Sequence, residues 1–326
     1  MKTPNQFVIG AYTGGGVLGY GQAIFMSYLE QKYGILAYRI FDMFAGTSVG
    51  SFIAAASSLG IPMSQVKSFF TIHAPKIFHQ TLWEEIESAA NPKYSATALE
   101  EGLKDLFTIC DPSGTARQAT LSDCKTKLVI PAVDMRSGKP VHFKSYENSS
   151  ENEDEIIVGP DSGIELWQVC RASSAAQTYF PAFMWNNYIL WDGGNSSDNA
   201  PDVLAFMEAE QWTTKEQMQM LSLGTGSSPW TLDATKLITP SPIRAAFATI
   251  ELLFAAGVSA DVAKARRALG NRHYRVTPNF AGQTYKIDDA SQKTLDALAG
   301  IWQSAITKHQ ATIEEFGSLS QPVVNQ

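Results

Sequence analysis

Apolar residues come in short runs along this chain, each followed by a turn and then by a stretch with helical spacing. Phe7-Val8-Ile9-Gly10-Ala11-Tyr12 reads as a buried strand ended by Thr13-Gly14-Gly15-Gly16, after which Ile24, Tyr28 and Leu29 set a helix over residues 21–33. The order repeats. Phe41-Asp42-Met43-Phe44-Ala45 predicts a second strand, Gly46-Thr47-Ser48-Val49-Gly50 a tight turn, and residues 51–59 a small-residue helix stopped by Gly60 and Pro62. Consecutive βα units imply a parallel sheet with helices on its faces.

Residues 64–123 are helical in period, most clearly over 94–107, and no strand is predicted there. Residues 127–134 and 140–144 bracket a Ser137-Gly138 turn and predict a hairpin. The acidic run 147–155 reads as a solvated loop. Residues 165–176 return to helix, while 188–191 and 218–223 read as strands, the second leading into Gly224-Thr225-Gly226. Helices dominate from Arg244 onward, and neither an internal repeat nor a separating linker is visible.

Composition narrows the class. With 326 residues, 44% hydrophobic, 17% charged and 11% aromatic, the chain can bury a large core, which excludes disorder, collagen and small disulfide scaffolds. The 25 Lys+Arg against 32 Asp+Glu leave a formal charge of −7, so no nucleic-acid polymer is expected as partner, though a local basic patch stays open. Cys110, Cys124 and Cys170 show no CxxC spacing and read as reduced core cysteines of a cytosolic protein. The first residues do not resemble a signal peptide. The apolar region 245–260 is interrupted by Glu251 and is too short for a bilayer span, so a buried helix is expected, with interfacial contact as the second reading.

Three features carry chemistry. Gly46-Thr47-Ser48-Val49-Gly50 matches the G-x-S-x-G elbow between a strand and a helix, where Gly46 and Gly50 let both elements pass closely and Ser48 projects from a strained turn. Gly14-Gly15-Gly16-Val17-Leu18-Gly19 admits three readings. One is a dinucleotide fingerprint, which lacks its acidic residue after the second strand; another is a plain turn; the third is an oxyanion hole of backbone N–H groups beside Ser48. Two adjacent glycine turns favour the third. The base is either His273, in a Ser48-Asp192-His273 triad, or Asp192 itself, at the end of an apolar strand and followed by Gly193 and Gly194. Ser48 follows only the second strand, which is early for the triad fold.

Together these motifs resemble the patatin-like phospholipase family. Residues 14–19 match its oxyanion loop, 46–50 its elbow and Asp192-Gly193-Gly194 its Asp-Gly-Gly motif, with further matches at 171–181, Asn199-Ala200-Pro201 and 221–226. The resemblance implies a three-layer α/β/α fold with a mainly parallel central sheet and a helical C-terminal part over about 241–319, outside a motif core of about 7–226. It implies a serine lipid acyl hydrolase without metal or other cofactor, in which Ser48 is the nucleophile, Asp192 the general base, and Gly14, Gly15 and Gly16 the oxyanion hole, braced by Gly19. Thr13 and Leu18 depart from the acidic and basic residues common in that loop. Because the glycine loop, Ser48 and Asp192 must converge, residues 1–326 are expected to form a single domain.

A lipid substrate requires an apolar entrance, for which Phe69, Phe70, Trp83, Phe180, Phe183, Trp185 and residues 247–254 are candidates. Lys264, Arg266, Arg267, Arg272 and Arg275 form a basic cluster that could meet lipid head groups, a phosphate-bearing regulator or only solvent. The expected setting is cytoplasmic with transient membrane association. Gating by a small molecule such as a cyclic nucleotide, in the manner of bacterial antiviral effectors that resemble this chain, is expected to restrain activity, and a homo-oligomer stays open. The rival from another class is a non-catalytic phosphate- or nucleotide-binding module.

Overall fold

A computed structural model of the chain describes residues 6–79, 92–147, 153–196, 198–227 and 242–319. β1 (Phe7–Tyr12) is buried throughout, and a 3-10 turn leads from the glycine loop into α1 (Tyr20–Tyr33). β2 (Met43–Gly46) and α2 (Val49–Leu59) form the second βα unit. Every residue of α2 is buried, and its Gly, Ser and Ala positions let it lie close to the sheet; Gly60, at φ 84°, ends it in the left-handed conformation. The helical middle follows as α3 (Met63–Ile72), α4 (Ala74–Ile77) and α5 (Thr97–Leu106).

One expectation fails here: β3 (Thr108–Cys110) and β4 (Ala116–Gln118) form an antiparallel ribbon in the segment expected to lack strands. The ribbon is largely solvent-facing and so shows no apolar alternation. Cys110 lies exposed on it and Cys124 is partly exposed, so Cys170 is the cysteine that fits the expected core role.

The hairpin is β5 (Lys127–Asp134) and β6 (Pro140–Lys144), followed by β7 (Ile156–Val158) and α6 (Leu166–Ser173). Residues 148–152 of the acidic run lie outside the described residues. Glu155 departs from the solvated reading, because its Oε2 sits 2.5 Å from Nδ1 of the buried His142. β8 (Phe183–Trp185), β9 (Tyr188–Asp192), α7 (Asp202–Ala209), β10 (Met218–Leu223) and α8 (Pro242–Leu269) come next. β11 (His273–Val276), α9 (Gln292–Lys308) and α10 (Gln310–Ser318) complete the order. β11 is a strand in a region expected to be helical; it is defined by parallel pairing with β10.

The main sheet runs β11-β10-β1-β2-β5-β6-β7, parallel from β11 to β5 and then antiparallel at β5–β6. β1 shows how the layers arise. Its period of two sends Val8 and Tyr12 into one core with α1, α2 and α9, and Phe7, Ile9 and Ala11 into another with Leu204, Ala205 and Ala209 of α7 and Leu269 of α8. Helices therefore cover both faces, the three-layer α/β/α arrangement. Among the described residues no helix is long and apolar enough to cross a membrane.

Candidate active site

Strand geometry brings the site together. β5 pairs with β6 along one edge, while its other edge is shared by two strands in succession: β2 opposite residues 127–129, then β9 opposite 132–134. β2 runs parallel to β5 and β9 antiparallel, so their C-terminal ends approach each other. Ser48 follows the first end and Asp192 is the second.

The elbow is tight at both flanks. A Cβ on Gly46 would run into the Gly50 carbonyl, and one on Gly50 into the carbonyl of Tyr12. Ser48 itself sits at φ 52°, ψ −126°, in a region that residues with side chains rarely occupy. Its N–H donates to Ser173 Oγ at 3.0 Å, its carbonyl accepts from Ser51 Oγ at 2.5 Å, and its side chain is only partly buried. The neighbouring Thr47 is buried, and its hydroxyl donates to the carbonyl of Asp198.

Asp192 is 1% exposed. Its Oδ1 accepts the Gly194 N–H at 2.8 Å, and its backbone carbonyl accepts Nδ2 of Asn195, which is held in turn by Gln177 at 2.8 Å. Burial pushes the carboxyl up to about 7, partly opposed by the Gly194 N–H and the Ser48 side chain. Gly193 packs so closely on the Pro131 carbonyl that no side chain would fit there, and a Cβ on Gly194 would lie 2.9 Å from Phe254 of α8.

The glycine loop lies against the elbow: a Cβ on Gly14 would come within 3.0 Å of Ser48 Cβ, and one on Gly19 within 2.8 Å of Val49. The Gly14 N–H is already committed, donating to the Asn199 carbonyl at 2.9 Å. Gly15 and Gly16 keep N–H groups with no acceptor among the described residues. Of the three N–H groups expected to serve an oxyanion, Gly14 is thus occupied.

His273 is placed elsewhere. Its Nε2 lies 2.7 Å from Oδ2 of Asp202, both side chains are fully buried, and Asp202 also accepts from Ser222 Oγ at 2.7 Å. The expected alternative triad of Ser48, Asp192 and His273 is therefore not assembled, because the ring is committed to a different carboxylate.

Several supporting residues escape a reading of the sequence alone. Ser173 and Asn199 fall within matched motifs, yet nothing local says that one receives Ser48 N–H and the other Gly14 N–H. Arg275 reaches Thr13 Oγ1 with Nη1 at 2.8 Å from the far edge of the sheet. Among the apolar entrance candidates, Phe69, Phe70 and Phe180 are core residues, while Phe183 and Trp185 are partly exposed. Trp83 and the side chain of Phe247 lie outside the described residues.

A family profile described as Patatin-like phospholipase matches residues 11–205, a span holding the glycine loop, Ser48 and Asp192. The chain is similar to a cGAMP-activated phospholipase of Pseudomonas aeruginosa, 25% identical over 290 residues that cover 86% of this chain and 82% of that one. A protein described in the same words from Vibrio cholerae is 23% identical over an alignment of 351 positions, covering 96% of this chain and 95% of that one. Patatin-like protein 1 of Arabidopsis thaliana is 27% identical over 256 residues, 66% of this chain, which spans 58% of that protein's length. On the matched span and the motifs within it, the chain belongs to the patatin-like phospholipase family.

Proposed function

We propose that the chain is a serine acyl hydrolase that cleaves fatty-acyl esters of membrane phospholipids through a Ser48–Asp192 dyad. The observation that carries this reading is a buried carboxyl, ionising at about 7, that senses the side chain of a strained serine at the end of the facing strand. A carboxylate tuned to the working pH is a more effective general base than an ordinary Asp.

In the first step Ser48 Oγ attacks the ester carbonyl carbon and Asp192 takes the hydroxyl proton. The negative charge on the carbonyl oxygen meets the N–H groups of Gly15 and Gly16 and the N-terminal end of α2. Gly14, with its N–H spent on Asn199, positions the loop instead. Collapse of the tetrahedral intermediate breaks the ester bond, and the leaving alkoxide of the lysophospholipid takes the proton from Asp192. The regenerated carboxylate then accepts a proton from water, which attacks the acyl-enzyme; collapse of this second intermediate breaks the Ser48 Oγ–carbon bond, returns the proton from Asp192 to Ser48 Oγ and releases the fatty acid.

Exposed Met184 and Leu252, at 66% and 54%, lie on the β8–β9 hairpin and on α8, elements joined to the Asp192 turn, and could seat the site on a bilayer surface. Relatives described as cGAMP-activated and cUMP-AMP-activated support gating by a cyclic nucleotide, and with it a role in antiviral defence. The test is hydrolysis of phosphatidylglycerol and phosphatidylethanolamine vesicles, with and without cyclic GMP–AMP, alongside fluorophosphonate labelling. Wild type is expected to release fatty acid and to be labelled at Ser48, while Ser48→Ala and Asp192→Asn do neither. Equal hydrolysis by all three would remove the dyad.

A further inference from the structure

The main sheet ends at β11, and there the C-terminal end of α8, the turn at residues 270–272, β11 and the α9–α10 junction enclose a cleft of about 490 Å³. Its wall includes Arg266, Asn271, Tyr274, Arg275, His309 and Thr312, and, among the described residues, no acidic one. This volume falls within the range of sites for small organic ligands.

The charges of this wall are only partly balanced among the described residues. Arg266 is exposed and makes no ion pair among the described residues. The Arg275 side chain is 8% exposed, and its nearest carboxylate oxygen, Asp202 Oδ1, stands 3.9 Å away. Asp202 already serves His273 and Ser222 through Oδ2. The guanidinium of Arg275 is held below its usual range by burial, against the pull of Asp202, and the neighbouring Arg266 charge pushes it further down. Glu315, beside the cleft, accepts from Tyr274 Oη and Gln219 Nε2, both at 2.5 Å. A further observation is independent of charge: Nδ1 of His273, another residue of the cleft wall, is buried without a partner among the described residues, as is Nε of Arg272 next to it. Buried donors or acceptors left this way cost stability unless a ligand or water satisfies them.

We propose that this cleft binds a phosphate-bearing small ligand and that its occupancy is transmitted to the glycine loop through Arg275. Phosphate oxygens suit guanidinium forks flanked by amide and hydroxyl donors, the groups that Arg266, Arg275, Asn271 and Thr312 supply. The transmission path is short. Nη1 of Arg275 donates both to Ser222 Oγ at 2.7 Å and to Thr13 Oγ1 at 2.8 Å, and Thr13 immediately precedes Gly14. Thr225, on the turn after β10, donates to the Gly14 carbonyl at 3.4 Å and packs against Gly15. An anion drawing on the Arg275 charge changes its hold on Thr13 and so the setting of the loop. The binding half stands independently of the proposed hydrolysis; the regulatory half rests on reading the loop as an oxyanion hole.

Calorimetric titration of the full chain with inorganic pyrophosphate and with cyclic GMP–AMP reads binding without hydrolysis. Flotation with phosphatidylcholine vesicles, with and without phosphatidylglycerol, tests a lipid source of the same phosphate group. The expected result is saturable binding of a soluble phosphate, weakened about tenfold or more by Arg266→Ala and unaffected by Ser48→Ala. Arg266→Ala should keep the wild-type melting temperature and basal hydrolysis but lose stimulation. Binding confined to phosphatidylglycerol vesicles and lost in Arg266→Ala supports the site with a lipid head group as its ligand. Absence of saturable binding in both arms, or binding that Arg266→Ala leaves intact, overturns it. Failure of the hydrolase reading would leave these titrations unchanged.

Discussion

Asp192 Oδ1 accepts the Gly194 N–H at 2.8 Å in a turn so enclosed that the aspartate is only 1% exposed. Little else solvates the carboxylate, so ionising it is expensive, and its pKa is pushed up to about 7 by burial. The same desolvation that makes it a stronger base ties its charge state to pH near neutrality.

The first consequence concerns rate. If Asp192 must be ionised to accept the Ser48 proton, kcat/KM rises with pH along a limb centred near 7 and then levels. A pH profile on a short-chain ester, free of interfacial effects, measures this directly. A limb near pH 4 would show that the base is an ordinary carboxylate.

The second concerns stability. Below about pH 4 Asp192 is protonated in both folded and unfolded chains and contributes no pH dependence. Between about 4 and 7 the unfolded chain ionises first, so the folded state binds more protons and stability falls as pH rises; above 7 the deficit is constant. Asp192→Asn removes the ionisable group and keeps an oxygen for Gly194 N–H. Its melting temperature should therefore exceed that of wild type by several degrees at pH 8, on the order of 2–4 °C per kcal/mol, with the gap closing toward pH 4. Calorimetry across that range would contradict the argument if the gap were independent of pH.

How much of this could be foreseen depends on the range of the interactions involved. β1 was legible because six consecutive buried residues leave no other reading, and the elbow because Gly46 and Gly50 are steric requirements of one local turn. β11 was not, because His273-Tyr274-Arg275-Val276 has no strong period and becomes a strand only by pairing with β10. The commitment of His273 to Asp202 follows from that pairing and was equally hidden. Asp192 could be singled out as a strand-end carboxylate, but its approach to Ser48 depends on β9 occupying the edge of β5 that β2 leaves free. Ser173, Asn199 and Arg275 act across 125, 185 and 262 positions, where spacing carries no signal.

His273→Ala separates structure from chemistry. Burial opposes ionisation of Asp202, but its contacts with His273 and the charge of Arg275 keep its pKa below the usual range. Removing the ring leaves a fully buried carboxylate with Ser222 and a distant guanidinium, a change that costs about 3–5 kcal/mol. The expected outcome is a melting temperature lower by about 10 °C, with hydrolysis per folded molecule at low temperature within about threefold of wild type. Complete loss of activity in a variant that remains folded would restore a catalytic histidine.

Ser48 offers the sharpest test of stored strain. Its φ of 52° is imposed by the close passage of β2 and α2, and a non-glycine residue held there costs about 1–3 kcal/mol. Ser48→Ala removes the hydroxyl but keeps the Cβ, so it should abolish activity while the backbone cost remains. Ser48→Gly removes both, and relief of strain is partly offset by the greater freedom of glycine in the unfolded chain, about 0.5–1 kcal/mol. The glycine variant should therefore melt above the alanine variant by a few degrees, with each retaining the backbone donation to Ser173. Equal melting temperatures would mean that the strain held at Ser48 is no larger than the cost of glycine's freedom, about 0.5–1 kcal/mol.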